Sequence, residues 1–409
     1  MKLLGRRVII VGQGVSGQGA KHALDMAGAV SSFYPEGKAS AEFMVVSPGI
    51  PPDHECFSLK IPVIGEFALG ALINDKPVAA VTGTNGKTTV CEMLADMLSA
   101  KYKVALCGNI GASFARVAAD GGYRVAVTEV SSFQLEHITG FHPAAAAILN
   151  IAPDHLDRYP DFGAYARTKL KIAADMRGGL LVLNADDIPS GLLEGFFPDA
   201  NVRYVSLLGR VDGAYMADGA LYLNGVRLCD RSALKADGDH NVANALCAAL
   251  MADYFGITAG DILKVFGAFE PGDHRIKEVG RKNGVTFYND SKGTNPSSTL
   301  AAVRALSGGG RICLILGGSD KGLDYGELFA KLPDDAVAVI TGATSAKMRK
   351  AAREAGRGYI LAANMRIAVE KAFASGCQTV LLSPAAASFD SYDNYAERGE
   401  DFIRAVKAL

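Results

Sequence analysis

The sequence predicts an α/β fold with largely parallel sheets, and three observations carry that prediction. Short apolar runs alternate with segments of helical spacing along most of the chain, the pattern of parallel strands joined by helical crossovers. Glycine-rich turns stand where a strand gives way to a helix, at Gly12-Gln13-Gly14-Val15-Ser16-Gly17 and at Gly83-Thr84-Asn85-Gly86. The pattern breaks near Pro77 and again near Gly272, which divides the 409 residues into three blocks, 1–76, 77–271 and 272–409. The first reads as a small Rossmann-like domain and the second as a parallel sheet of the phosphate-loop ATPase type. The third reads as a Rossmann-like doubly wound domain.

In the first block, Arg7–Val11 is a strand, the glycine turn follows, and a helix runs to about Ala27. Further strands end near Phe33-Tyr34-Pro35 and span Phe43–Ser47, with Pro48-Gly49-Ile50-Pro51-Pro52 breaking the second. The central block opens on Pro77-Val78-Ala79-Ala80-Val81. Its later strands are expected at Val104–Cys107, Arg124–Val130, Ala145–Ile151 and Leu180–Asn184, with an antiparallel excursion over Gly213–Arg227. The last block has strands at Ile312–Leu316, Ala336–Thr341, Tyr359–Ala362 and Thr379–Ser383, with helices over Lys347–Ala355 and Arg366–Ala374 between them.

Composition limits the function classes. Hydrophobic residues make up 49% and charged residues 21%, as in ordinary globular proteins. A net charge of −1 argues against a broad nucleic-acid surface. No apolar run reaches the ~18 residues that would cross a bilayer, and Val8–Val11 is too short for a signal peptide. The seven cysteines are scattered, with no C-x-x-C pair, as expected of free thiols in a reducing compartment. A cytoplasmic protein that binds neither nucleic acid nor membrane is expected.

The strongest chemical signal is Val81-Thr82-Gly83-Thr84-Asn85-Gly86-Lys87-Thr88-Thr89. Strand, glycine turn, Lys-Thr and helix together make a phosphate loop. Backbone N–H groups and a helix N-terminus face the anion, Lys87 adds a charge, and a threonine hydroxyl can hold Mg²⁺. Val81 stands where the general pattern has its first glycine. Glu129 ends a nearby strand, where a carboxylate commonly holds the metal of a phosphate site. Asn109, at another strand end, either contacts a ligand or caps a turn. His155 lies in the polar run Asn150–Arg158 and could be a metal ligand or a hydrogen-bonded structural histidine. Lys169 reads, on spacing alone, as a surface lysine of a helix. The turn Gly12-x-Gly14-x-x-Gly17 suits a diphosphate, yet Tyr34 and Pro35 occupy the place of the ribose-binding acid of a dinucleotide site. Three polar strand ends in the last block, 289–296, 317–322 and 383–390, together make a candidate site for an anionic substrate.

These motifs resemble the Mur ligase family of peptidoglycan synthesis, whose members form amide bonds at the expense of ATP. The resemblance rests on Thr82–Thr89, on Glu129-Val130-Ser131-Ser132-Phe133-Gln134-Leu135-Glu136, on Tyr288–Asn295 and on Ser383–Asp390, in that order along the chain. It implies the family branch that joins D-glutamate to UDP-N-acetylmuramoyl-L-alanine, using ATP and two Mg²⁺ ions, as a monomer. Gly83, Thr84, Asn85, Gly86, Lys87, Thr88 and Thr89 would then hold the ATP phosphates, with Asn241, Arg275 and Asp290 on the nucleoside. Thr88, Glu129, His155 and a carbamylated Lys169 would hold the metals, and Lys87, Glu129, His155 and Lys169 are the catalytic candidates. Val15, Ser16 and Asn109 would bind the sugar nucleotide. Lys292, Thr294, Lys321, Ser388, Phe389 and Tyr395 would surround D-glutamate. A sibling ligase taking another amino acid, or a phosphotransferase, is the alternative. The Asp-Asn-Pro-Arg signature of the sibling that adds a diamino acid is absent.

Overall fold

The computed structural model describes residues 2–188 and 199–409. The chain forms two compact units: Met1–Ile151, Arg158–Lys235 and Asn241–Phe269 make the first; Ala152–Asp157, Ala236–His240 and Glu270–Leu409 make the second. The expected α/β class is observed.

The first unit holds two sheets. One contains β1 (Arg7–Val11), β2 (Val30–Phe33), β3 (Phe43–Val46) and β4 (Val63–Gly65) in the order β2-β1-β3-β4, all parallel. Its helices are α1 (Val15–Met26) and α2 (Glu66–Ile73). The buried sequence Val8–Val11 forms the centre of this sheet, so reversal of strand order at β1 opens a crevice beyond the ends of β1 and β3.

The second sheet contains β5 (Val78–Thr82), β6 (Val104–Gly108), β7 (Val125–Glu129), β8 (Ala145–Ile148), β9 (Leu180–Asn184), β10 (Asn201–Ser206), β11 (Gly213–Ala217), β12 (Ala220–Leu223) and β13 (Val226–Asp230). The order is β13-β12-β11-β10-β9-β8-β5-β7-β6. Strands β5 to β11 pair in parallel, and the β11–β12 and β12–β13 pairs are antiparallel. The antiparallel excursion expected over Gly213–Arg227 is observed as the β11–β12–β13 meander, whose first strand also joins β10 in parallel. Strand β8 also stops at Ile148, short of the expected Ile151. The carbonyl of Asn150 turns to accept the N–H of Thr84 at 3.0 Å and so leaves the ladder. Around β5 lie α3 (Lys87–Ser99), α4 (Phe114–Asp120), α5 (Ser132–Leu135), α6 (Phe162–Leu170) and α7 (Asp239–Tyr254).

In the second unit the strands are β14 (Lys277–Lys282), β15 (Val285–Asn289), β16 (Ile312–Leu316), β17 (Val337–Ile340), β18 (Tyr359–Leu361) and β19 (Thr379–Leu382). Their order is β14-β15-β19-β16-β17-β18, with β14 the antiparallel edge. Buried Leu314, Leu316, Leu381 and Ile340 pack one face and Cys313, Ile315, Val380 and Leu382 the other. Strand β14, Lys-Glu-Val-Gly-Arg-Lys, has no apolar run and was invisible to periodicity.

Candidate active site

The central sheet reverses its strand order at β5, which lies between β7 and β8. Ligands of such sheets sit beyond the strand ends at this point, and the glycine loop emerges there. Gly86 has φ +85° at the N-cap of α3, and a Cβ on it would come within 2.5 Å of Asn244 Oδ1, so only glycine fits. Asn150 braces the loop in both directions: the Asn85 N–H donates to its Oδ1 at 2.8 Å, and its amide donates to the Asn85 carbonyl at 3.1 Å. Lys87 Nζ donates to the carbonyls of Gly83 and Thr84 at 2.9 and 3.0 Å, which holds its charge over the loop.

Lys169 corrects the reading from spacing. It is 2% exposed, donates to the Gly83 carbonyl at 2.8 Å and lies 4.8 Å above the Tyr165 ring. Helix α6 enters at the Asp161 cap and turns Lys169 inward beneath the glycine loop. The Tyr165 hydroxyl meets Thr84 Oγ1 at 3.0 Å, adding a second tie from the same helix.

Glu129 ends β7 and is buried, with Oε2 accepting from the Thr88 hydroxyl at 2.6 Å and Oε1 from the Asn109 amide at 2.8 Å. A threonine hydroxyl and a carboxylate beside a phosphate loop are the oxygen donors Mg²⁺ takes when phosphates and waters complete its shell. Thr89 is buried on the first turn of α3, and Asn241 is buried on α7, 7% exposed.

At the first sheet, Gly12–Gly17 turns into α1, with Val15 70% exposed and Ser16 half-buried beside it. The loop Ser47–Ile50 forms the other wall: a Cβ on Gly12 would meet Ser47 Oγ at 2.6 Å.

The second unit gathers the three polar strand ends onto adjacent strands β15, β19 and β16. Ser383 Oγ donates to Asp290 Oδ2 at 2.7 Å, and the Ser319 N–H donates to the Ala387 carbonyl at 2.9 Å. Burial pushes the Asp290 carboxyl up to about 7, while Ser383 and the charge of Arg275 partly oppose it. Arg275 Nη2 is buried with no hydrogen-bond partner, a donor suited to a bound nucleotide. Lys321 Nζ pairs with Asp154 Oδ1 at 3.2 Å, and Asn295 donates to Asp154 Oδ2 at 3.5 Å. Burial works against the Asp154 carboxylate, but Lys321 and His155 hold it below its ordinary range. His155 sits in this unit at φ +55°, its N–H donating to Asp154 Oδ1 at 2.9 Å. Lys292 lies 4.8 Å above the Tyr395 ring. Thr294 is half-buried, Ser388 is buried, and Phe389 is 74% exposed.

Arg398 was missed, since an arginine on the amphipathic last helix, Tyr395–Ala408, reads as solvated. It is 2% exposed and donates to Ser291 Oγ and to the carbonyls of Ser291, Ala386 and Ala387, clamping two of the polar strand ends together. Burial lowers its guanidinium to about 10, against the pull of Asp390. Asn244 and Asp154 were also missed, because their roles depend on neighbours remote in sequence.

Comparison with known proteins agrees with this geometry. Residues 81–252 match the Mur ligase middle domain, and residues 274–386 match the Mur ligase glutamate ligase domain. A UDP-N-acetylmuramoylalanine–D-glutamate ligase of Streptococcus gordonii is 36% identical, covering 99% of this chain and 98% of its own. Its namesake from Thermoanaerobacter pseudethanolicus is 36% identical over 100% of both. A solved pseudomurein peptide ligase type C from Methanothermus fervidus shares the fold, with a TM-score of 0.67 at 18% identity, covering 98% of this chain and 100% of that one. The likeness runs the length of the chain, and the glycine loop, Glu129 and the strand ends 289–296 and 317–322 fall within the matched domains: this protein belongs to the Mur ligase family.

Proposed function

We propose that the chain is an ATP-dependent ligase that joins D-glutamate to UDP-N-acetylmuramoyl-L-alanine in the synthesis of peptidoglycan precursor. The full-length likeness to D-glutamate ligases carries the reading. The substrate carboxylate attacks the γ-phosphate of ATP, giving an acyl phosphate and ADP. The D-glutamate amine then attacks the activated carbonyl, and phosphate leaves as the amide forms. Lys87 and the N-terminus of α3 hold the phosphates and stabilise charge that develops during transfer. Thr88 and Glu129 supply oxygens to Mg²⁺, which when bound neutralises phosphate charge; two ions are the number in this reading, with His155 and a carbamylated Lys169 as further ligands.

Asn241, Arg275 and Asp290 serve the nucleoside. Lys321, Lys292 and Tyr395, with Thr294, Ser388 and Phe389, serve D-glutamate, whose carboxylates need cations and hydroxyl donors. Val15, Ser16 and Asn109 serve the sugar nucleotide. Residues 1–76, 77–271 and 272–409 are the corresponding functional domains, in a cytoplasmic monomer. Phosphate release with a panel of D- and L-amino acids tests the amine: D-glutamate alone should support turnover at physiological concentration. A preference for another amino acid would reassign the chain to a sibling ligase. A stable phosphorylated product without free phosphate would make it a phosphotransferase.

A further inference from the structure

We infer that Arg158 is a positioning residue for the sugar-nucleotide substrate, fixing the diphosphate-side loop of the first sheet against the ATP-side sheet. The inference rests on the ligase reading above. Arg158 makes a bidentate pair with Glu136, Nε to Oε1 and Nη2 to Oε2, both at 2.7 Å. The same Nη2 donates to the Ile50 carbonyl at 2.9 Å, and the guanidinium carbon lies 4.4 Å from the centre of the Phe133 ring. The side chains of Arg158 and Glu136 are only 12% and 15% exposed, so solvent screens this pair far less than a surface pair.

Each partner comes from a different part of the proposed site. Ile50 is on the loop after β3, bonded back to Ser47 through its N–H at 3.1 Å, and Ser47 walls the Gly12–Gly17 turn. Phe133 and Glu136 belong to and follow α5, which begins three residues beyond Glu129. Arg158 itself leads into α6, which carries Lys169. One planar guanidinium therefore ties the sugar-nucleotide loop to two segments that hold the phosphate-side machinery, a geometry that lysine cannot reproduce. A substrate with its nucleotide at the first sheet and its reacting carboxylate at the glycine loop must span these segments. Its affinity thus depends on their spacing, whereas ATP bound at the loop does not. The two sheets are also held together elsewhere, by Glu66 Oε1 accepting the Ala115 N–H at 2.7 Å and by the Phe67 ring, tilted against Phe114 at 4.9 Å between centres. Loss of Arg158 should therefore leave the fold standing.

The test is steady-state kinetics and calorimetric UDP binding on the full-length enzyme, wild type against Arg158→Ala, Arg158→Lys and Glu136→Gln. Arg158→Ala should raise KM for UDP-N-acetylmuramoyl-L-alanine roughly ten- to hundredfold, the range of a lost charge-assisted bond, and weaken UDP, which meets only the loop that Arg158 holds, by less. KM for ATP should stay within about twofold, a split that a merely structural residue would not give, and millimolar guanidinium ion should restore part of the lost affinity. Arg158→Lys and Glu136→Gln should move the same constants in the same direction by less. Equal rises in both KM values, no rise in either, or an unfolded Arg158→Ala with a fully active Arg158→Lys would overturn the inference. Failure of the wild type to form the amide would instead sink the ligase reading, and the UDP affinities would still report on Arg158.

Discussion

The glycine loop of the first unit and the strand-end cluster of the second both present polar groups beyond parallel strands, but they are held in different ways. At the loop, Lys87 donates to the carbonyls of Gly83 and Thr84 just before it, so local backbone geometry aims that cation. In the second unit the groups come from segments remote in sequence. Asp154 meets Lys321, Ser383 meets Asp290, and Arg398 clamps Ser291 to Ala386 and Ala387. The loop is a short-range structure that chemistry can read from a string of nine residues. The cluster is a product of topology.

Substitutions should separate the two modes. Lys87→Ala removes the charge held over the glycine loop, and phosphate release should fall by roughly 10²–10³-fold or more; wild-type turnover in that variant would remove the loop from the mechanism. Lys169→Ala should be nearly as damaging, and a small carboxylate such as formate or acetate should restore part of the activity if a carbamate supplies metal-ligand oxygens. Restoration by a small amine instead would assign the role to the ammonium group.

Smaller and more selective effects are expected in the second unit. Lys321→Ala leaves the buried Asp154 without its cation and removes a candidate grip on D-glutamate. KM for D-glutamate should rise roughly tenfold or more with KM for ATP little changed. A rise confined to ATP would place Lys321 elsewhere.

The mildest test contrasts two buried carboxyls. Asp154 is held low beside Lys321, but at Glu66, at the start of α2 and 1% exposed, burial dominates and drives the carboxyl up to about 7, with the Ala115 N–H and Ser113 opposing. A carboxyl raised in the folded state costs nothing below its unfolded value near 4.5, and the cost grows until the pH passes about 7. Glu66→Gln should therefore stabilise the protein more at pH 8 than at pH 5, by a difference on the order of 3 kcal/mol. Denaturant midpoints at the two pH values measure it, and an equal shift at both would refute the ionisation account.

The α/β class, most central strands and the strand–turn–helix form of the glycine loop were legible because each is written in contiguous residues. What was not legible depended on long-range packing. Lys169 looks like any helical lysine until α6 turns it inward beneath the loop, and only the resemblance drew attention to it. Arg398 reads as surface charge on an amphipathic helix, and nothing in its own segment announces the carbonyls it meets. Strand β14 is polar along its length because it closes an edge. Asp154 and Arg158, four residues apart, belong to different compact units, a division that the polar run 150–158 does not betray.

The central claim is that one ATP is spent for each amide formed between a muramoyl carboxylate and D-glutamate. The most direct measurement follows free phosphate and amide product together while ATP, UDP-N-acetylmuramoyl-L-alanine and D-glutamate are omitted one at a time. Sustained phosphate release only with all three, in a 1:1 ratio to amide, is the predicted result, since each amide consumes one acyl phosphate. Sustained release at the full rate without D-glutamate, or phosphate without amide, would contradict it.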